Sequence, residues 1–444
     1  MGSKTILYVI YLLCLSAWVE VALAIVPVFN VINYGGKADG RTDISQQSVV
    51  LDSIQQQLYG ANKNVSVSLK QNDGVSYVYT EKSCNCVEFM NQALTNAWKD
   101  ACGSKVGSTV LIPKGTYFMG PVLLVGPCRT ASIEFRIEGT VVAPMDFAAL
   151  KTNGWITLRN IYGLTISGGG TFDGRGQKAW AQNDCSQNPN CEQFPANLRF
   201  DFLNHTLVKD ITSLNSKNFH MTIFKCNGMI IQNLKIKAPG DSPNTDGIHI
   251  GNSEFIAITQ SVIGTGDDCI SIGPGSRNIT ITHVFCGPGH GISIGSLGKY
   301  QNEEDVVGIT VSNCILSGTS NGIRIKTFPS SRPGLASDLT FENINVSNVF
   351  NPVIVDQEYC PHLHCNQQAP SLVQLKNVKF KNITGISSSN VVVNIVGSRA
   401  VPCQLEIGDI NLSYNGKDGS ATSICSNAKV VLSGRQNPPT CARS

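Results

Sequence analysis

Asn278-Ile-Thr-Ile-Thr-His-Val-Phe alternates apolar and polar side chains, the period-2 pattern of a strand with one buried face. The same shape recurs from about residue 155 onward. It is seen in Met229-Ile-Ile-Gln-Asn-Leu-Lys-Ile, Phe255-Ile-Ala-Ile-Thr-Gln-Ser-Val-Ile, Val307-Gly-Ile-Thr-Val-Ser-Asn-Cys-Ile, Ser337-Asp-Leu-Thr-Phe-Glu-Asn-Ile-Asn-Val and Leu372-Val-Gln-Leu-Lys-Asn-Val-Lys-Phe. Each run carries a polar amide or ring at one aligned place: Asn233, Gln260, His283, Asn313, Asn343 and Asn377, with gaps of 27, 23, 30, 30 and 34 residues. Glycine-rich turns, and no helical pattern, lie between them. Such a repeat predicts an all-β solenoid, a parallel β-helix whose turns stack on one another. The aligned amides predict a hydrogen-bonded ladder at one corner. A β-sandwich would give no reason for them to align.

Outward from the repeats, Asn91 to Cys102 places Ala93, Leu94, Ala97, Trp98, Ala101 and Cys102 at helical spacing, with Gly103 as a stop. The open end of a β-helix needs a cover, and an N-terminal amphipathic helix supplies one. Residues 47–91 match neither neighbour. They are polar, rich in Gln, Asn, Ser and Val, and hold Cys84 and Cys86. Residues 1–24 read as a secretory signal: Lys4, an apolar run from Ile6 to Trp18, and Ala22-Leu23-Ala24 before the cut. The mature chain, 25–444, is then one exported domain with no membrane association.

Composition agrees. Charged residues are 15% and hydrophobic ones 42% of the 444, which excludes a disordered chain. A net charge of +3 lacks the basic stripe of a nucleic-acid binder. Of the 16 Cys, Cys14 leaves with the signal, so an odd number remains and at least one thiol is free or paired between chains. Close spacing pairs Cys185 with Cys191, Cys360 with Cys365 and Cys269 with Cys286. Sequons stand at Asn64, Asn204, Asn278, Asn345, Asn382 and Asn411.

Four short motifs sit on successive repeats: Asn244-Thr-Asp-Gly, Gly266-Asp-Asp, Gly289-His-Gly and Arg324-Ile-Lys. Asp246 to Asp268 is 22 residues, and Asp268 to His290 is 22 again, about one turn of the coil each time. With parallel strands about 4.8 Å apart, Asp246, Asp267, Asp268 and His290 form a column on one face. Alternation puts Arg324 and Lys326 on one face of the next turn. Three clustered carboxylates repel, so one holds a proton at mildly acidic pH. That is the equipment of glycosidic cleavage, in which one acid protonates the leaving oxygen and one base activates water. The two cations suit a carboxylate on the substrate, which makes an acidic sugar the expected class. Three aspartates alone would also fit calcium, but calcium would need neither His290 nor the cations. Because neighbouring strand residues face opposite ways, Asp267 and Asp268 share a site only if Gly266 permits a bend.

On these motifs the chain resembles the plant polygalacturonases, pectin-degrading glycoside hydrolases with a right-handed parallel β-helix. All four signatures match in order, over roughly residues 26–430 without 47–91. The resemblance implies an inverting hydrolase of the α-1,4 galacturonate bonds of pectin, needing no metal or other cofactor. It implies Asp267 as general acid, Asp246 and Asp268 holding and activating the water, and His290 supporting the acid. It further implies Asn244, Arg324 and Lys326 as substrate contacts, with Tyr359 of Asp356-Gln-Glu-Tyr as another. The stretches Gly168-Gly-Gly-Thr-Phe-Asp-Gly-Arg-Gly, Ala179-Trp-Ala-Gln-Asn-Asp-Cys, Asn197-Leu-Arg-Phe and Ala238-Pro-Gly-Asp-Ser-Pro are more similar to the exo-acting, pollen-type members. In such proteins Asp43-Ile44-Ser45-Gln46 runs almost directly into Ala93-Leu94-Thr95, so 47–91 is an atypical insert that reads as a retained intron or a wrong gene model, the alternative being a genuine surface loop. The expected setting is the cell wall, and the expected state a monomer. Alternatives are an endo-acting polygalacturonase, a rhamnogalacturonan or xylogalacturonan hydrolase, a pectate lyase, and an inactive wall-binding protein of the same fold.

Overall fold

A computed structural model describes residues 26–38, 67–72, 75–80, 86–146, 152–185, 187–188, 191–361, 365 and 368–441. The signal segment, Asn64 and Cys84 lie outside them. Among the described residues no helix is long and apolar enough to cross a membrane.

The alternating runs become strands at Asn227–Gln232, Glu254–Thr259, Arg277–Thr282, Val306–Ser317, Gly334–Val349 and Val373–Ser387, each paired in parallel with the next. They belong to a sheet of 20 strands. A second sheet of 11 strands runs from Val122–Val125 to Thr422–Ser426, every strand parallel to its neighbour and in chain order. In each turn the chain gives the first sheet two short strands, or one long strand in the later turns, and the second sheet one strand, and so winds a right-handed parallel β-helix. Its interior is a set of side-chain stacks. Ile250, Ile272, Ile294, Ile325, Val355 and Ile395 lie in register on adjacent strands and are fully buried. Each contributes about 1.5–3 kcal/mol of transfer free energy.

Asn233, Gln260, His283, Asn313, Asn343 and Asn377 all have φ between 50° and 54°. The aligned polar residues thus mark where the chain turns a corner in the left-handed region, which Asn tolerates better than a branched side chain. A ladder runs along this corner. Asn233 Nδ2 donates to Asp210 Oδ1 (2.6 Å), Asn343 Nδ2 to Asn313 Oδ1 (3.2 Å), and Asn382 Nδ2 to Asn343 Oδ1 (2.9 Å). Asn377 is not its next member. Thr340 pairs with Lys379, so Asn343 stands beside Asn382, and Asn377 donates to Asp338 at a different corner.

The helix predicted over Asn91–Cys102 is present but spans Cys86–Gly103. Met90, Ala93, Leu94, Ala97, Trp98 and Ala101 are buried, most of them in one core with Val31, Val110 and Leu124. The Trp98 indole donates to the Val125 carbonyl (3.1 Å), and Cys102–Cys128 ties the helix end to the coil. Its first turn therefore lies inside the segment set apart as 47–91. The same segment contains an antiparallel hairpin, Val67–Asn72 with Val75–Thr80, outside both large sheets.

The three expected disulfides form, together with Cys102–Cys128 and Cys425–Cys441. Cys226, Cys314 and Cys403 are free and buried. The described sequon residues Asn204, Asn278, Asn345, Asn382 and Asn411 are all exposed.

Candidate active site

Ile248, Ile270, Ile292 and Ile323 stand in register on neighbouring strands of the 11-stranded sheet. The residues two positions before them, Asp246, Asp268 and His290, therefore line up at the strand entrances. Asp267 and Asp268 do not lie on a strand at all. They occupy a bend before Ile270–Ile272, so the alternation that would separate them does not apply. The bend needs glycine, because a Cβ on Gly266 would sit 2.0 Å from the Ser242 carbonyl oxygen.

Asp268 is the most enclosed carboxylate of the group, at 1% exposure. Oδ1 accepts from the Arg324 guanidinium (2.6 Å) and the Ser293 hydroxyl (2.8 Å), and Oδ2 accepts from the Lys326 ammonium (2.9 Å). Burial by itself raises its pKa. Lys326 and Arg324 outweigh burial and bring it down to about 2. Asp246 is also buried but has no cation in contact. Its Oδ2 accepts from Ser271 Oγ (2.8 Å). Burial, and then the charges of Asp267 and Asp268, raise its pKa well above the usual carboxylate range. Asp267 is the accessible member at 20% exposure, and His290 Nδ1 lies 2.9 Å from its Oδ1. The His290 backbone N–H also donates to the Asp267 carbonyl (2.8 Å).

Arg324 and Lys326 reach the column as expected, but both are spent first on Asp268. Tyr359 is brought in as well: Lys326 Nζ is 5.4 Å and Arg324 Cζ 6.0 Å from its ring centroid. Asn244 lies at the edge, in the left-handed region (φ 53°), where its Oδ1 accepts from Asn183 Nδ2 (3.0 Å). Ligand atoms of Asp267, Asp268 and His290 fall within 4.8 Å of one another. With both Asp268 oxygens held by cations, this donor set does not suit a divalent ion, which would have to displace Arg324 and Lys326.

The arrangement is one locked anion, one buried carboxyl whose pKa is raised, and one accessible carboxyl beside a histidine. A family model described as Glycosyl hydrolases family 28 matches residues 102–434. The chain belongs to glycosyl hydrolase family 28. Among its relatives, the exopolygalacturonase of Platanus acerifolia is 56% identical over 350 residues, 79% of this chain and 93% of that one. The exopolygalacturonase of Oenothera organensis is 49% identical over 355 residues, covering 80% and 98%. Among solved structures, the polygalacturonase of Erwinia carotovora ssp. carotovora superposes with a TM-score of 0.65 at 24% identity, over 79% of this chain and 94% of that one.

Other residues of this family 28 site carry no motif of their own. Ser271 and Ser293 hold Asp246 and Asp268, and each follows its motif in an Ile-Ser-Ile triplet. The repetition of that triplet 22 residues apart is the signal that would have found them. His249 Nδ1 lies 2.8 Å from Ser271 Oγ, and burial together with Lys326 lowers its pKa to about 4, so it stays neutral. It lines a groove of about 310 Å3 with Asn153, Arg199, Phe219 and Phe224.

Proposed function

We propose that this family 28 chain hydrolyses the α-1,4 galacturonate linkages of pectin with inversion, acting from the non-reducing end. The observation that carries the reading is the column of Asp246, Asp267, Asp268 and His290 on one face, with Arg324 and Lys326 beside it. The exo mode rests on relatives that are named exopolygalacturonases. Asp267 is the general acid: it is accessible, and His290 orients it. It gives its proton to the glycosidic oxygen as the bond to C1 breaks. Water attacks C1 from the opposite face and loses a proton to Asp246. The raised pKa makes Asp246 the stronger base, while Asp268, ionised down to about pH 2, orients the water. Arg324, Lys326, Tyr359 and Asn244 hold the sugar. The mature protein, 25–444, works as a secreted monomer in the cell wall.

Product analysis on polygalacturonic acid, with ultraviolet detection of double bonds, tests this reading. Monogalacturonate from the first time point supports exo-hydrolysis. A ladder of saturated oligomers would remove the exo mode and keep the mechanism, whereas unsaturated products would replace hydrolysis with elimination.

A further inference from the structure

Asp268 uses much of the positive charge that a substrate carboxylate would need. Three aspartates face two cations, Arg324 and Lys326, and both bond Asp268 at 2.6 and 2.9 Å. An anionic polymer lying across this site finds both of those cations already bonded, so a further cation beside them is what would hold its next carboxylate. Lys299 is such a cation. It is exposed and, among the described residues, forms no ion pair. Of the three acids of its own loop, Glu303 is turned onto the backbone, accepting from the N–H groups of Gly298 (2.6 Å) and Tyr300 (2.7 Å), Asp305 accepts from the Leu335 N–H (3.0 Å), and Glu304 is exposed without an ion pair to Lys299.

Lys299 sits at the end of a continuous track that starts at the catalytic column. Lys326 Nζ lies 5.4 Å from the Tyr359 ring, and Tyr359 packs edge-on against Phe328 at 5.6 Å. Lys299 Nζ is 6.0 Å from the Phe328 ring and 5.2 Å from that of Tyr300. Tyr300 is 63% exposed, a large aromatic face turned to water. The loop is firmly rooted: Phe328 N–H donates to the Leu297 carbonyl (2.9 Å), and Arg332 N–H to that of Gly298 (3.3 Å). A cation flanked by aromatic faces, one ring beyond the sugar held by Tyr359, matches the carboxylate and the C–H face of a uronic acid.

We propose that Lys299, Tyr300 and Phe328 form a separate subsite for the next galacturonate of the chain, so that the protein prefers substrates of three or more sugars. The inference rests on the galacturonan reading above, and its test is kept independent of turnover. In the full secreted chain carrying Asp267→Asn, calorimetry measures binding of di-, tri- and tetragalacturonate. The trimer binds roughly fivefold tighter than the dimer, an increment of the size expected for a partly exposed ion pair. Lys299→Ala abolishes that gain without changing dimer affinity, Lys299→Arg restores it, and added salt weakens it. A gain with length that survives Lys299→Ala, or equal weakening at all lengths, overturns the subsite. Hydrolysis of polygalacturonate by the protein with Asp267 intact is scored separately. Its absence would overturn the activity and leave a length-dependent, Lys299-dependent binding result standing.

Discussion

Asp246 and Asp268 are chemically identical and almost equally buried, yet they are pushed in opposite directions. The difference is two cations. Arg324 and Lys326 hold Asp268 as an anion, and its pKa of about 2 lies below the ordinary 3.8. Its contribution to stability is therefore complete above pH 3.8 and lost as pH falls through about 2. Asp268→Asn leaves two buried cations without their partner, and should cost about 3 kcal/mol or more in thermal unfolding as well as all turnover. A variant with unchanged melting temperature would contradict that role. Asp246 behaves in the other sense. The folded protein favours its protonated form, so stability falls as pH rises through the raised value. Asp246→Asn should abolish hydrolysis yet melt higher than the parent at neutral pH, a gain that disappears in acid. If Asp246 is the base, activity appears only once it ionises, so the acid limb of kcat/KM must lie well above pH 3.8. A limb at or below that value would exclude it. The four motifs were legible as a column because their spacing matches the turn length. The partition of charge was not, since it depends on which oxygen each cation reaches. Arg324 and Lys326 read equally well as a free substrate clamp.

At the scale of the element, the corner positions show both what a repeat reveals and where it misleads. The left-handed φ at Asn233, Asn313 and Asn343 explains why an amide recurs there. The turn holding Leu372-Val-Gln-Leu-Lys-Asn-Val contains two asparagines, Asn377 and Asn382, each at a left-handed corner. Spacing alone selects the first of them. The backbone register selects the second, because the loop before this strand lengthens the step from Asn343 to 39 residues. Asn343 sits between Asn313 and Asn382 with a bond to each. Asn343→Ala should cost about 2 kcal/mol in urea unfolding, through the left-handed backbone and the lost bonds together. Asn343→Gly keeps the backbone and should cost about half as much. Equal losses would mean that the ladder, and not the corner geometry, carries the whole effect.

For the whole molecule, the question is how the coil is closed at its N-terminal end. The helix Cys86–Gly103 covers the core there, and its apolar spacing made its presence legible. Its start was not, because the first turn falls in a stretch whose polar composition resembles neither neighbour. Met90 belongs to that turn and is 2% exposed in the common core, so the helix and its packing take in residues that composition alone had set apart. Among the described residues, the strands Val67–Asn72 and Val75–Thr80 pair only with each other and belong to neither long sheet. These facts separate two deletions. Removing 47–85 keeps the whole helix and should leave both hydrolysis and melting temperature close to those of the full chain. Removing 47–91 takes Met90 from the core, at a cost of about 2–5 kcal/mol, and should lower the melting temperature while the distant catalytic column still turns over. Calorimetry with the galacturonate-release assay compares the two. If the shorter deletion abolishes activity, 47–85 is part of the working fold. Peptides from 47–91 in the native protein would exclude the retained intron, which would contribute none.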